Sequence, residues 1–187
     1  VCAGGFGGKN AGIAGIYAAW LTMITQRPVR VLYDRIEGLL HVSRPNWTWK
    51  IKIGAKKDGT FTAIDATTYQ GGPYGRFTGG LLERARNGIT GSYRWKAIKY
   101  DGYGVYTNAQ NTLSYRGYSS PETCYGIEIA VDEMAKKLGM DPVELRLKNH
   151  LQEGERNGMN EIVRSMGESG VVKKMKEFMD AWGPKPS

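Results

Sequence analysis

Apolar residues fall on every side of the stretch through Ile13, Ile16, Tyr17, Trp20, Leu21 and Ile24, which predicts a helix capped by Asn10 and stopped at Arg27-Pro28. A helix apolar all round is expected to lie buried. It is shorter than the roughly 20 residues a bilayer demands. Val29 to Tyr33 then has the β-branched, alternating character of a buried strand ending at Asp34-Arg35. From Asn46 to Tyr69 the period changes to two, "WTWKIKIGA" and "FTAIDATTY" flanking a Lys-Asp-Gly turn, which predicts a β-hairpin. "QGGPYGRFTGG" reads as a mobile or ligand-facing loop and "LLERARNGI" as one or two helical turns. "YRWKAIKYDGYGVYTN" resumes strand character and is expected to turn over at Asp101-Gly102.

Two helix starts are marked by their chemistry. Ser119 or Ser120 caps the first, Pro121 suits its first turn, and Glu122 completes a capping box with Ser119; the helix should run through Ile127, Val131, Met134 and Leu138 to Gly139. Asp141-Pro142 opens the second, "DPVELRLKNHL". A last helix is expected from Glu161 to Trp182. These elements predict an α+β fold, a mixed sheet with hairpins packed by helices, over residues 1–154, with 155–187 a C-terminal helical extension or linker.

Charge narrows the partners. Lys and Arg number 26 against 18 Asp and Glu, a net +8 in 187 residues, which favours anionic ligands, phosphates, nucleic acid or an acidic subunit. Cys2 and Cys124 stand far apart and His41 and His150 lack ligand-spaced companions, so no metal site built from protein ligands is expected. Two unpaired thiols fit a reducing, cytoplasmic compartment. No signal-peptide pattern opens the chain, and Val1 stands inside what reads as a motif, as expected of a fragment.

The glycine loop "VCAGGFGGKN" invites two phosphate-binding readings, and both fail on spacing. A Walker loop needs glycine where Ala3 stands and Ser or Thr where Asn10 stands; a dinucleotide fingerprint fits Gly5 and Gly7 but meets Asn10 at its third position. Either a close backbone approach to a ligand or a tight turn packed on another strand remains. "SYRGYSSPE" sets an arginine between tyrosines ahead of a capped helix, suited to an anion or to a surface turn.

Taken together, "GGFGGK" opening an apolar helix, "VRVLYDRIEGLLHVSRP" after it, "YRGYSSPE", and "AVDEMAKKLGMDPVELRLKN" in this order resemble the molybdenum-binding subunit of the xanthine dehydrogenase and aldehyde oxidase family, the molybdenum hydroxylases. The resemblance runs from residue 1 to about Gly154. It implies that Gly5, Phe6 and Gly7 face a molybdenum–molybdopterin cofactor, its cytosine dinucleotide form included, and that Arg116 lies on the metal's other side. It implies substrate contacts from Tyr115, Tyr118, Arg84 and Asn10. Asn10 replaces an acidic residue of the purine-hydroxylating members, which argues against xanthine, while Arg84 suits an anionic or carbonyl-bearing substrate. In that family oxygen from water is transferred to an aldehyde or N-heterocycle, and electrons leave through 2Fe-2S clusters to FAD or another acceptor on partner domains or subunits. The general base belongs to a Gly-x-Gly-Glu segment that this chain lacks, so no catalytic residue is expected here and the rest of the molybdenum subunit is an implied partner. The alternatives of a different class are a basic nucleic-acid-binding module using the tyrosine-rich strands and a non-catalytic scaffold.

Overall fold

A computed structural model describes residues 4–9, 12–41, 43–72, 78–110 and 112–183. The period-two stretch forms the predicted hairpin: β1 (Asn46–Ala55) runs antiparallel to β2 (Phe61–Gly72). Its turn is tied by Lys56 N–H to Thr60 O and Gly59 N–H to Lys56 O, both 2.9 Å, and by Asp58 Oδ1 accepting from Thr60 N–H. β3 (Ala97–Tyr106) adds to the other side of β2 in parallel, giving a mixed sheet of order β1-β2-β3. It does not turn at Asp101-Gly102. Asp101 pairs with Thr67 across the ladder and binds Lys99 at 3.0 Å, so the dipeptide is held extended.

A parallel pairing requires a crossover, and α3 (Thr78–Gly91) supplies it, longer than the one or two turns expected. α3 and α4 (Ser120–Leu138) cover one sheet face, onto which β2 sends Ile64, Ala66, Thr68 and Gln70 at alternate positions. Ile89, Ile127, Val131 and Leu145 complete this core, with Phe61 stacked on Trp95 at 4.7 Å. α5 (Pro142–Asn149) begins as predicted, Asp141 accepting from Val143 and Glu144 N–H. The start of α4 differs from expectation. Ser119 occupies the cap position in the left-handed region, φ 74° rather than the extended backbone of a capping serine, and forms no side-chain cap bond; Glu122, the other half of the expected box, is turned to Arg44.

Three other expectations are corrected. Residues 29–33 pair with no strand among the described residues; Asp34 and Glu37 exchange reciprocal bonds of 2.7 and 2.8 Å that open a short helix, α2 (Arg35–His41). The first helix, α1 (Ile13–Thr25), ends as predicted before Arg27-Pro28 but buries none of its residues, and Ile16, Trp20, Met23 and Ile24 are exposed. Hydropathy reports what a helix is suited to contact, and the described part of this chain does not supply that contact. Asn10, the expected cap, lies outside the described residues. The last helix, α6, is shorter than expected, Glu168–Trp182, because residues 161–163 turn back to bond Asn157 and Glu155. Among the described residues no helix is long and apolar enough to cross a membrane.

α6 meets the core through its first turn. Glu168 accepts from Ser92 and stands 3.9 Å from His150 Nδ1, a buried nitrogen with no hydrogen-bond partner. Burial pushes His150 below the usual histidine range, outweighing the upward pull of Glu168 and Glu128. The unfolded chain therefore takes up this proton first as pH falls, so stability is fully present above about pH 6.5 and is lost toward the lower folded value. Urea midpoints are expected to drop from pH 8 to pH 5, and His150→Gln should flatten that slope; an unchanged slope would show that other groups set it.

Candidate functional site

The glycine loop folds on itself through Gly8 N–H to Gly5 O, 2.9 Å, with Gly4, Phe6 and Gly7 at φ 109°, 47° and 101°. Gly7 is buried against the second predicted loop: a Cβ there would overlap the Ser114 carbonyl oxygen and come 3.1 Å from Tyr115 Cα. Only glycine permits that approach. The two loops singled out in the sequence thus form one seam. Across it the Arg116 guanidinium stands 5.2 Å from the centre of the Phe6 ring.

The second loop is itself tightly wound. Tyr118 N–H donates to Tyr115 O at 2.7 Å and Ser120 N–H to Gly117 O at 3.0 Å, while Gly117, Tyr118 and Ser119 have φ 100°, 47° and 74° in succession. Tyr118 reaches the first turn of α3, where a Cβ on Gly80 would lie 2.6 Å from its hydroxyl. Arg84 stands one helical turn beyond Gly80, on the same face of α3, and is exposed.

An open cavity of about 810 Å³ lies beside the seam, between Gly5, Phe6 and Gly8, the first turn of α1, residues 33–41, and Ser114 and Tyr115. Lys9 and Arg35 bring positive charge to its wall against the single carboxylate of Asp34. A pocket floored by glycine backbone and edged by cations suits an anionic group. Phe6 and Tyr115 stay 67% and 54% exposed, each with a guanidinium over one side of its ring.

The structure therefore brings Gly5, Phe6, Gly7, Tyr115 and Arg116 together, and joins Tyr118 to α3. Of the expected residues Gly5, Phe6 and Tyr115 line the cavity, Gly7, Arg84, Arg116 and Tyr118 do not, and Asn10 lies outside the described residues. Sequence reasoning missed α2 as a wall, although Asp34-x-x-Glu37 is a capping-box signal. It also passed over Arg44, which lies 4.1 Å over the Tyr115 ring and which no local pattern marks. The tyrosine-rich strands are engaged with each other: Tyr69 stacks on Tyr103 at 5.3 Å, and Lys50 lies over Tyr69.

The sequence pattern of the molybdopterin cofactor-binding domain family matches residues 3–150. The aldehyde oxidoreductase of Megalodesulfovibrio gigas is 32% identical over 184 residues, which span 97% of this chain and 20% of that protein. The nicotinate dehydrogenase large molybdopterin subunit of Eubacterium barkeri is 30% identical over 177 residues, 93% of this chain and 42% of that subunit. The solved structure of the aldehyde oxidoreductase from Desulfovibrio gigas superposes with a TM-score of 0.87 at 30% identity, over 94% of this chain and 20% of that one. The chain thus spans between a fifth and somewhat over two fifths of the length of these relatives.

Proposed function

The chain belongs to the molybdopterin cofactor-binding domain family of the molybdenum hydroxylases, and from that premise we propose that it supplies one wall of the cofactor pocket in a larger oxidoreductase hydroxylating an aldehyde or N-heterocycle with water. The seam between Gly7 and Ser114 is the observation that carries this reading. When bound, the molybdenum–pterin group supplies the two-electron oxidation. The chain's own residues bind and orient. Backbone at Gly5 can approach the cofactor without side-chain interference, Gly7 lets the glycine loop close on Ser114 and so shapes the cofactor-binding loop, Phe6 offers a ring face, and Arg116 balances anionic charge. Tyr115 and Tyr118 present aromatic surface to the substrate, and Arg84, with Asn10, orients a carbonyl or carboxylate. One relative is named for aldehydes and another for nicotinate, a carboxylate-bearing N-heterocycle, and Arg84 suits either. The general base comes from outside these residues, as do the iron–sulfur and flavin groups that accept electrons.

The whole protein is expected to carry molybdenum and pterin in equal amounts. Arg116→Gln should lower both about tenfold, the worth of one charge-assisted contact of ~1.4 kcal/mol. Metal analysis showing no molybdenum would refute the assignment. Turnover of an aldehyde by the isolated chain would refute the placement of the base elsewhere.

A further inference from the structure

Arg44 stands in the connection between α2 and β1 and touches both ends of the strained turn. Its guanidinium carbon lies 4.1 Å from the Tyr115 ring centre, and its Nε lies 3.2 Å from Glu122 Oε1 in the first turn of α4. The connection is itself anchored, Ser43 bridging Thr112 and accepting from Leu113 N–H at 3.3 Å. Between these anchors Tyr118 and Ser119 have φ 47° and 74°, which side-chain-bearing residues keep only where their surroundings hold them. Ser119 Oγ is buried without a hydrogen-bond partner, so the turn lacks a side-chain cap bond and is tied to α4 through Ser119 O, which accepts from Thr123 N–H at 3.1 Å and Thr123 Oγ1 at 2.9 Å. The Glu122 side chain is 13% exposed and its Oε2 is buried without a partner, so this carboxylate depends on Arg44. A planar guanidinium can stack on a ring and pair with a carboxylate at once, which an ammonium does poorly.

We infer that Arg44 is a positioning residue: by bridging Tyr115 and Glu122 it holds the 115–119 turn in the form that meets the glycine loop, and so sets the cofactor pocket. The second half rests on the functional reading above; the clamp itself does not.

Hydrogen–deuterium exchange on the whole, cofactor-free protein tests the clamp. In Arg44→Gln the amides of 115–120 and of Glu122, Tyr118 and Ser120 among them, should exchange at least about tenfold faster while those of β2 stay unchanged. Arg44→Lys, which keeps the charge but not the stacking, should fall between. Adding Glu122→Gln to Arg44→Gln should accelerate exchange no further, because the bridge is already broken and the carboxylate left unpaired is removed. In the loaded protein the molybdenum content of Arg44→Gln should drop about tenfold, with Arg44→Lys partly restoring it. Unchanged exchange at 115–122 overturns the clamp, and acceleration spread equally over β2 makes Arg44 a general stability residue. Fast local exchange with full molybdenum content removes its role in setting the pocket. Should the wild-type protein bind no molybdopterin, the functional reading fails while the exchange rates still decide the clamp.

Discussion

Gly7→Ala is expected to empty the cofactor pocket while leaving the core folded. The methyl would sit on the Ser114 carbonyl, and the residue carrying it would keep φ 101°. A strained φ of this kind costs on the order of 1–3 kcal/mol by itself. The overlap adds to it, and neither backbone can retreat as a flexible side chain would. The cheapest relief is for the two loops to part, and the site parts with them. Molybdenum content of the whole protein should fall by well over tenfold, more than 1.4 kcal/mol of binding, with the urea midpoint of the core little changed. Gly170→Ala is the control: it lies inside α6 with nothing outside that helix within 4 Å of the added methyl and should leave the molybdenum content as it was, with a urea midpoint no lower than wild type because alanine is the better helix former. Retention of cofactor by Gly7→Ala would mean that the seam is not part of the pocket.

The largest loss of stability is expected at Asn149, a polar side chain only 2% exposed at the end of α5. Its Oδ1 accepts from Phe61 N–H at 2.8 Å, and its Nδ2 donates to Gly59 O at 2.9 Å and Leu145 O at 2.8 Å. One amide therefore fastens the hairpin turn to the helix beneath it. Asn149→Ala strands the Phe61 N–H and the Gly59 carbonyl in the interior, at about 1–3 kcal/mol each, so about 3–5 kcal/mol is lost with the packing. Against a typical domain stability of about 5–15 kcal/mol, that is a large fraction. Asn149→Asp keeps the acceptor and turns both donors into an oxygen facing carbonyls. It should be no better than alanine in urea denaturation; wild-type stability for either variant would show that water replaces the amide.

Much of this architecture is legible in local chemistry, and the exceptions share a cause. The hairpin follows from period-two alternation around Lys-Asp-Gly, and α5 from Asp141-Pro142, since turn and cap geometry depend on residues within a few positions. Asp101-Gly102 misleads because β2, thirty-odd residues earlier, holds that dipeptide extended. Ser119 misleads because its backbone lies in the left-handed region, and the glutamate that would complete its capping box is turned to Arg44, far away in sequence. At the site, the loops announce themselves through their glycines and Arg116, whereas Arg44 and Asn149 act through partners that no spacing rule brings near. α1 shows the remaining limit, a helix patterned for burial whose described surroundings leave it open.

The seam has a consequence in time. Gly7 and Ser114 lie about a hundred residues apart, so closing that contact costs roughly 4 kcal/mol of chain entropy if nothing between them is yet ordered. At the usual rate of synthesis the glycine loop would wait roughly 5–20 s for its counterpart to be made. The hairpin, α3 and β3 are completed within that interval and shorten the effective closure. The pocket would then close only after the sheet has formed, and a chain stalled before residue 114 would lack both the pocket and the α4 and α5 side chains, Ile127, Val131 and Leu145, that complete the core.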